Sequence, residues 1–317
     1  MRTYEIFDYP SAEPGNTLLT GVRRFGPDVL ITGWFEQSGG TRSFVYRGPL
    51  AAEGALDASH FFELDYPSAA VTNLYGPNAI DAQTIRAVGA YTTVEAGATT
   101  FGCLYEGPLD GSGVWRQLCP PNATQTIAHS THGGLVVGGY VDGRPRAFVY
   151  DIAAQRFDEI TLPDLLSITA YGVWHNGRSS YTICGGYARV GALREQGYVA
   201  HWDSATRRLS RFRSFSYGND RALITHFDGI TGTPDGYNLT GDWARLELAP
   251  TPRPSGSGFA AHVGRRGALA TWESVEFPPQ QPTSGNTVIG DTVIGVFADA
   301  TGIHGYLSRA KERCACW

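Results

Sequence analysis

Two or three apolar residues, a glycine, any residue and an aromatic recur six times along the chain. The unit reads Leu30-Ile31-Thr32-Gly33-Trp34-Phe35, Ala87-Val88-Gly89-Ala90-Tyr91 and Val136-Val137-Gly138-Gly139-Tyr140. It returns as Ile183-Cys184-Gly185-Gly186-Tyr187, Leu239-Thr240-Gly241-Asp242-Trp243 and Val293-Ile294-Gly295-Val296-Phe297. Successive glycines are 56, 49, 47, 56 and 54 residues apart. Strand-built units at steps of roughly 40–50 residues cannot bury their own apolar faces, and radial stacking into a β-propeller solves that. Gly-x-aromatic triplets also arise by chance, and Gly113 and Gly172 begin two that fall out of phase. The even phase and the apolar run before each glycine single out the six.

The fold class is therefore all-β: a six-bladed β-propeller, one domain over residues 1–317. The predicted blades span about 18–67, 68–120, 122–163, 166–217, 221–279 and 283–310. Each is read as four strands joined by turns rich in Gly, Asp, Asn and Pro. The sixth is one strand short. The missing strand stands at the other end of the sequence, over residues 3–10. Tyr4-Glu5-Ile6-Phe7-Asp8-Tyr9-Pro10-Ser11-Ala12 resembles Phe62-Glu63-Leu64-Asp65-Tyr66-Pro67-Ser68-Ala69, the outer strand of the first blade. Residues 4–9 are predicted to pair with residues 303–308, closing the ring and removing its free edges.

The net charge of −5 and the absence of a basic run argue against nucleic acid as partner. No apolar stretch approaches the ~20 residues that a membrane helix requires. Met1-Arg2-Thr3-Tyr4-Glu5 runs straight into a strand pattern without a signal peptide, so the expected location is cytoplasmic, or secreted for a trimmed mature form. Of five cysteines, Cys103 and Cys119 fall on neighbouring predicted strands and could pair. Cys184 reads as a small buried hydrophobe, and Cys314-Ala315-Cys316 lacks further ligands for a zinc site. The sequons at Asn122 and Asn238 read as chance.

The innermost strands of a propeller line its axis, and gathering their polar residues yields one candidate site. Arg23, His129, His175 and His226 are the candidate catalytic groups. Tyr75, Asn78, Tyr171, Trp174, Phe227, Asp228 and Asn286 are the candidate substrate-binding groups. Arg23, His129, His175 and Asn286 lie nine or ten residues before their motif glycines, which suggests equal depth. The alternative is that these side chains only satisfy crowded axial backbone. Three histidines raise the question of zinc, but no acidic residue stands at a supporting spacing, so no metal is expected. No nucleophile elbow, zinc-protease helix, phosphate loop or dinucleotide fingerprint occurs, and no cofactor is expected. Asp228 is the one carboxylate plainly on an inner strand, so paired-carboxylate glycoside chemistry is not indicated.

The stretches His129-Ser130-Thr131, Tyr171-Gly172-Val173-Trp174-His175-Asn176-Gly177, Tyr181-Thr182-Ile183, Thr225-His226-Phe227 and Ser284-Gly285-Asn286-Thr287 resemble a group of fungal and bacterial six-bladed biosynthetic propellers. Hetero-Diels–Alderases, which join a quinone-methide-like partner to a terpene alkene, belong to that group. The resemblance implies a cofactor-independent cyclase of specialised metabolism with a small, partly aromatic or apolar substrate. Arg23 and the histidines would then donate to the oxygen that gains electron density, while Trp174 and Phe227 stack. A ligand- or carbohydrate-binding propeller and a metal-free lyase or isomerase stay open. A lectin repeats one ligand set in every blade, whereas here the inner residues differ, which favours an enzyme.

Overall fold

Each glycine unit folds as one four-stranded antiparallel sheet, and six sheets form a ring in the computed structural model. The structure describes residues 2–13, 15–37, 40–50, 56–93, 99–245, 255–265 and 269–310. From axis to rim, blade 1 comprises Thr17–Phe25, Asp28–Gln37, Gly40–Gly48 and Phe61–Glu63. Blade 2 comprises Val71–Ala79, Ile85–Thr92, Thr100–Gly107 and Val114–Leu118. Blade 3 comprises Gln125–His132, Leu135–Asp142, Arg144–Asp151 and Arg156–Ile160. Blade 4 comprises Leu165–Gly177, Ser180–Arg189, Gln196–Asp203 and Arg208–Phe215, and blade 5 Ile224–Gly232, Gly236–Arg245, Ser255–Gly264 and Leu269–Val275. Blade 6 comprises Thr283–Ile289, Thr292–Ala298, Ile303–Ala310 and, at its rim, Arg2–Ile6.

The N-terminal strand closes the ring as the sequence predicts. Tyr4 pairs with Ser308 and Ile6 with Tyr306, and Phe7 N–H donates to Gly305 O at 2.8 Å. The internal repeat is structural down to single atoms. Asp8 Oδ1 accepts from Gly305 N–H, and Asp65 Oδ1 accepts from Ser43 N–H, both at 2.9 Å. Tyr9 N–H donates to Thr17 Oγ1, as Tyr66 N–H does to Thr72 Oγ1. Arg2 anchors the far end: its guanidinium donates to Ser308 Oγ at 2.9 Å, Asp291 O at 2.7 Å and Glu273 Oε2 at 2.8 Å.

A β-bulge in every inner strand explains the recurring glycine. The ladder skips Thr20, Tyr75, His129, Tyr171 and Asp228 in blades 1 to 5, and Gly285-Asn286 in blade 6. A bulge kinks its strand and re-aims the extra side chain. Here it also presses the carbonyl two residues earlier onto the second strand. A Cβ on Gly33, Gly89 or Gly138 would stand 2.2, 2.1 and 2.1 Å from Leu18 O, Asn73 O and Ile127 O. On Gly185, Gly241 or Gly295 it would stand 1.9, 2.0 and 1.9 Å from Thr169 O, His226 O and Ser284 O. Only glycine fits there.

In four of the six units the motif aromatic has a separate cause, while Tyr140 and Tyr187 contact rings of their own blades. Phe35 stacks on Tyr9 at 3.7 Å, Tyr91 on Tyr66 at 3.7 Å, Trp243 on Tyr217 at 5.1 Å and Phe297 on Phe277 at 3.6 Å. In each case the partner comes from the segment entering that blade, so the stack fixes one blade against the last.

Apolar clusters fill the spaces between blades. Phe227 belongs to one of them and not to the axis: it is fully buried against Phe215, Phe259 and Trp272. It precedes the bulged residue, so strand alternation points it away from the channel. Cys103 and Cys119 do not pair. Cys103 lies opposite Gln117, its thiol is buried in the core with its pKa driven up by that burial, and Cys119 is exposed. Asn238 is engaged by Gly290 O at 2.7 Å and His262 Nδ1 at 2.8 Å. Cys314 and Cys316 lie outside the described residues. Among the described residues no helix is long and apolar enough to cross a membrane.

Candidate active site

The bulges build the site. Thr20, Tyr75, His129, Tyr171, Asp228 and Asn286, one from each blade, line a single axial cavity of about 160 Å³ together with Leu18 and Trp34. A cavity near 150 Å³ takes a benzene-sized guest, so there is room for one small ring. The bulge is what brings these six side chains to one level. In blades 1 to 5 the motif glycine pairs with the residue just before the bulged one, so each glycine points at a pocket residue.

Along one wall run five rings in contact. Trp34–Tyr75, Tyr75–His129, His129–Tyr171 and Tyr171–His226 have centroids 5.3, 5.2, 4.7 and 5.5 Å apart. Burial lowers the His129 pKa to about 3, so this imidazole is neutral near pH 7. Burial raises the phenol pKa of Tyr75 and of Tyr171.

The belt ends in a carboxylate–imidazole cluster. His226 Nε2 lies 3.5 Å from Asp228 Oδ2, and its Nδ1 lies 3.7 Å from Glu195 Oε1. Asp242 completes the group: its Oδ2 accepts from Ser284 Oγ at 2.7 Å and its Oδ1 from Gly285 N–H at 2.9 Å. Asn286 closes the circle by donating to Leu19 O at 2.6 Å. Burial raises the pKa of Asp228 well above the usual carboxylate range, and the charges of Asp242 and Glu195 add to that against the opposing pull of His226. Burial also raises Asp242 and Glu195. For His226, burial acts to lower the pKa, but Asp228, Asp242 and Glu195 outweigh it and the net shift is upward. Asp228 Oδ2 is shielded from solvent and has no hydrogen-bond partner among the described residues. His226, Asp228 and Asp242 offer ligand atoms within 4.8 Å of one another, the set that could hold a metal.

Arg23 is not a ligand-facing group. It is 8% exposed and reaches across the axis from blade 1, donating to Val173 O of blade 4 at 2.8 Å and to Ser130 Oγ of blade 3 at 3.2 Å. Burial lowers its pKa to about 10, which leaves it charged near neutrality. It does not line the pocket. Beyond it lie His132 and Trp174, with ring centroids 4.6 Å apart and Arg23 Cζ 5.8 Å from the indole. Asn78 is buried, three residues past its bulge, and does not line the pocket. His175 lies on the far side as well, stacked on Tyr181 at 4.6 Å with its Nε2 2.9 Å from Arg178 O. With Trp174 and Tyr237 it borders a separate groove of about 440 Å³ between blades 4 and 5.

Equal counts back from the glycine thus do not mean equal depth. Thr20 lies 13 residues before Gly33 and Tyr171 14 before Gly185, but His129 lies only 9 before Gly138, because the intervening hairpins differ in length. Leu18, Thr20, Trp34, Asp242 and Glu195 are not among the candidates that the sequence offers. Trp34 and Asp242 both occupy the free position of the Gly-x-aromatic unit, which faces the mouth of the axis. Glu195 arrives from a hairpin between strands. It folds over Gly186, where a Cβ would stand 1.8 Å from its Oε1. The expectation that carboxylates are not gathered at the axis is therefore overturned.

The sequence matches no protein-family model and no curated protein. Solved structures match in fold. Trypanosoma rangeli sialidase in complex with the inhibitor DANA superposes with a TM-score of 0.57 at 7% identity, over 98% of this chain and 60% of the sialidase. A neuraminidase-like protein from A/bat/Guatemala/164/2009 gives 0.52 at 8% identity, over 97% and 93%. Penicillium chrysogenum α-L-arabinanase complexed with arabinobiose gives 0.51 at 12% identity, over 96% and 98%. At such identities the likeness is one of fold. The chain spans about 60% of the length of the trypanosomal sialidase. None of these three lends support to the resemblance to hetero-Diels–Alderases.

Proposed function

We propose that this propeller is an enzyme acting on one small, ring-shaped, oxygen-bearing molecule held in the axial pocket. The observation that carries this reading is the convergence of six bulged residues, all from different blades and chemically unlike except for two tyrosines, on one cavity. A six-fold lectin would repeat one residue; an asymmetric wall suits one asymmetric ligand. The ring belt offers flat faces for a sugar or phenol ring, and Asp228, Asp242 and Asn286 offer acceptors to its hydroxyls. Similar folds described as complexes with arabinobiose and with the inhibitor DANA support a sugar-sized ligand. The cavity is lined by Asp228, with Asp242 and Glu195 grouped around the neighbouring His226, and Arg23 bonds to Ser130 and Val173 O instead of lining it, so the reading favours a neutral or cationic molecule over a carboxylate. The reaction class is one in which a substrate oxygen is polarised and a proton relayed, as in a lyase, isomerase or hydrolase. Cycloaddition of the hetero-Diels–Alder type rests on the ring belt alone, and buried carboxylates serve no purpose in joining two apolar partners.

The test begins with a thermal-shift screen of monosaccharides, cyclic polyols and phenols. Hits are expected to lose about tenfold in affinity in Tyr75→Ala, the value of one stacked ring face. Asp228→Asn is expected to lower turnover of a confirmed substrate by roughly 10²–10⁴. It should leave the melting temperature in place, because no hydrogen bond to Asp228 Oδ2 is lost. Ligands that bind undiminished in Tyr75→Ala, or on the outer blade faces, would sink the reading.

A further inference from the structure

We propose that the carboxylate–imidazole end of the pocket is a binding site for one first-row divalent metal ion, with His226, Asp228 and Asp242 as its ligands and Glu195 as the group that orients the His226 ring. Nothing in this depends on the identity of the organic ligand. Four observations carry it. The three ligand atoms lie within 4.8 Å of one another. Ligands at 2.0–2.2 Å from a common ion stand about 3–4 Å apart, so sub-ångström side-chain adjustments suffice. The Asp228 side chain is 17% exposed, and its Oδ2, 3.5 Å from His226 Nε2, is shielded from solvent and makes no hydrogen bond among the described residues. A buried oxygen of that kind costs free energy unless something coordinates it.

The outer contacts are those a metal site requires. A ligating imidazole usually presents its second nitrogen to a carboxylate, which fixes the tautomer and ring angle. His226 turns Nε2 to Asp228 and Nδ1 to Glu195, at 3.5 and 3.7 Å. Ligating carboxylates are themselves held by donors. Asp242 receives Ser284 Oγ–H and Gly285 N–H, one on each oxygen, and each oxygen keeps a lone pair. The ledger of charge points the same way. Three carboxyl groups surround one imidazole, and the cation on the axis, Arg23, is bound to main-chain carbonyls and Ser130 instead. Carboxylates gathered in this way around one imidazole, with the nearby guanidinium engaged elsewhere, are relieved by a bound cation. One nitrogen and two carboxylates suit Mn²⁺, Fe²⁺ or Zn²⁺ better than Ca²⁺, which takes six to eight oxygens. Asp228 also lines the ligand cavity, so the ion's open positions would face the bound molecule and polarise its oxygen. The expectation of no metal rested on the lack of supporting carboxylates, and Asp242 and Glu195 remove that ground.

The experiment uses untagged full-length protein stripped with chelator, then titrated calorimetrically with Zn²⁺ and with Mn²⁺, with elemental analysis after desalting. One ion per chain is expected, with a rise in melting temperature. Glu195→Gln is expected to weaken binding 10–100-fold, the range for an outer contact, and Asp242→Asn and His226→Gln to weaken it further. Circular dichroism and the melting temperature of the ion-free variants establish that they are folded. No saturable binding of either ion to the wild-type chain would overturn the proposal. So would equal affinity in folded Asp242→Asn and His226→Gln, which would place the ion elsewhere. Because no substrate is needed, a negative result here leaves the small-molecule reading intact, and loss of that reading leaves the ion.

Discussion

Removal of residues 1–10 is expected to abolish stable folding, leaving a chain that aggregates at temperatures where the intact protein is native. The segment supplies the rim strand of blade 6, and without it the strand Ile303–Ala310 presents a row of unpaired backbone groups. It also supplies Phe7, which is fully buried against Tyr46 and Phe61 at 5.0 and 6.0 Å and so ties blade 6 to blade 1. Phe7→Ala alone is expected to cost about 3–5 kcal/mol, the usual range for emptying a core phenylalanine site. Ile6→Ala is the control: Ile6 is 52% exposed, and a surface truncation is expected to change stability by about 0.5 kcal/mol or less. Thermal unfolding and size-exclusion chromatography of the three proteins read this out. An unchanged melting temperature in the truncated chain would mean that the ring holds without its latch.

The latch was legible because it is a repeat. Phe7-Asp8-Tyr9-Pro10-Ser11 and Leu64-Asp65-Tyr66-Pro67-Ser68 share the buried apolar residue, the backbone-accepting aspartate and the stacked tyrosine, so one blade's sequence foretold the other's geometry. The blades were legible for the same reason: the glycine answers a backbone contact that recurs six times. The site was legible only in part. Tyr75, His129, Tyr171, Asp228 and Asn286 were within reach because inner strands carry them. Phe227 was misassigned because a single residue separates the core face from the axial face of a strand, and only the bulge decides which is which. Arg23 was misassigned because a long side chain can cross the axis and bond to the opposite blade, and no spacing in the sequence records where a guanidinium ends. Glu195 was invisible for a related reason. Its place over Gly186 depends on the path of a hairpin, whose length the repeat does not constrain.

The bulge joins architecture to chemistry, and that dictates what one methyl group should do at Gly185. Its Cβ would meet Thr169 O at 1.9 Å, far inside contact distance, with Thr169 C at 3.0 Å behind it. Both atoms are main chain, so no side-chain rotation relieves the overlap, and the first two strands of blade 4 must part. Gly185→Ala is therefore expected to cost about 3 kcal/mol or more, at the upper end of overpacking penalties, lowering the melting temperature on the order of 5–10 °C. Gly134→Ala serves as the comparison: its nearest neighbour is Tyr181 Oη at 3.9 Å, and the change should cost less than about 1 kcal/mol. Where Gly185→Ala still folds, its effect should reach the pocket, because the carbonyl it displaces lies two residues before Tyr171, which packs between His129 and His226. Ligand affinity should then fall in Gly185→Ala and hold in Gly134→Ala. A stability equal to wild type in Gly185→Ala would show that the strands have slack at this contact, and that the six glycines of the repeat stand there for some reason other than the bulged strand beside them.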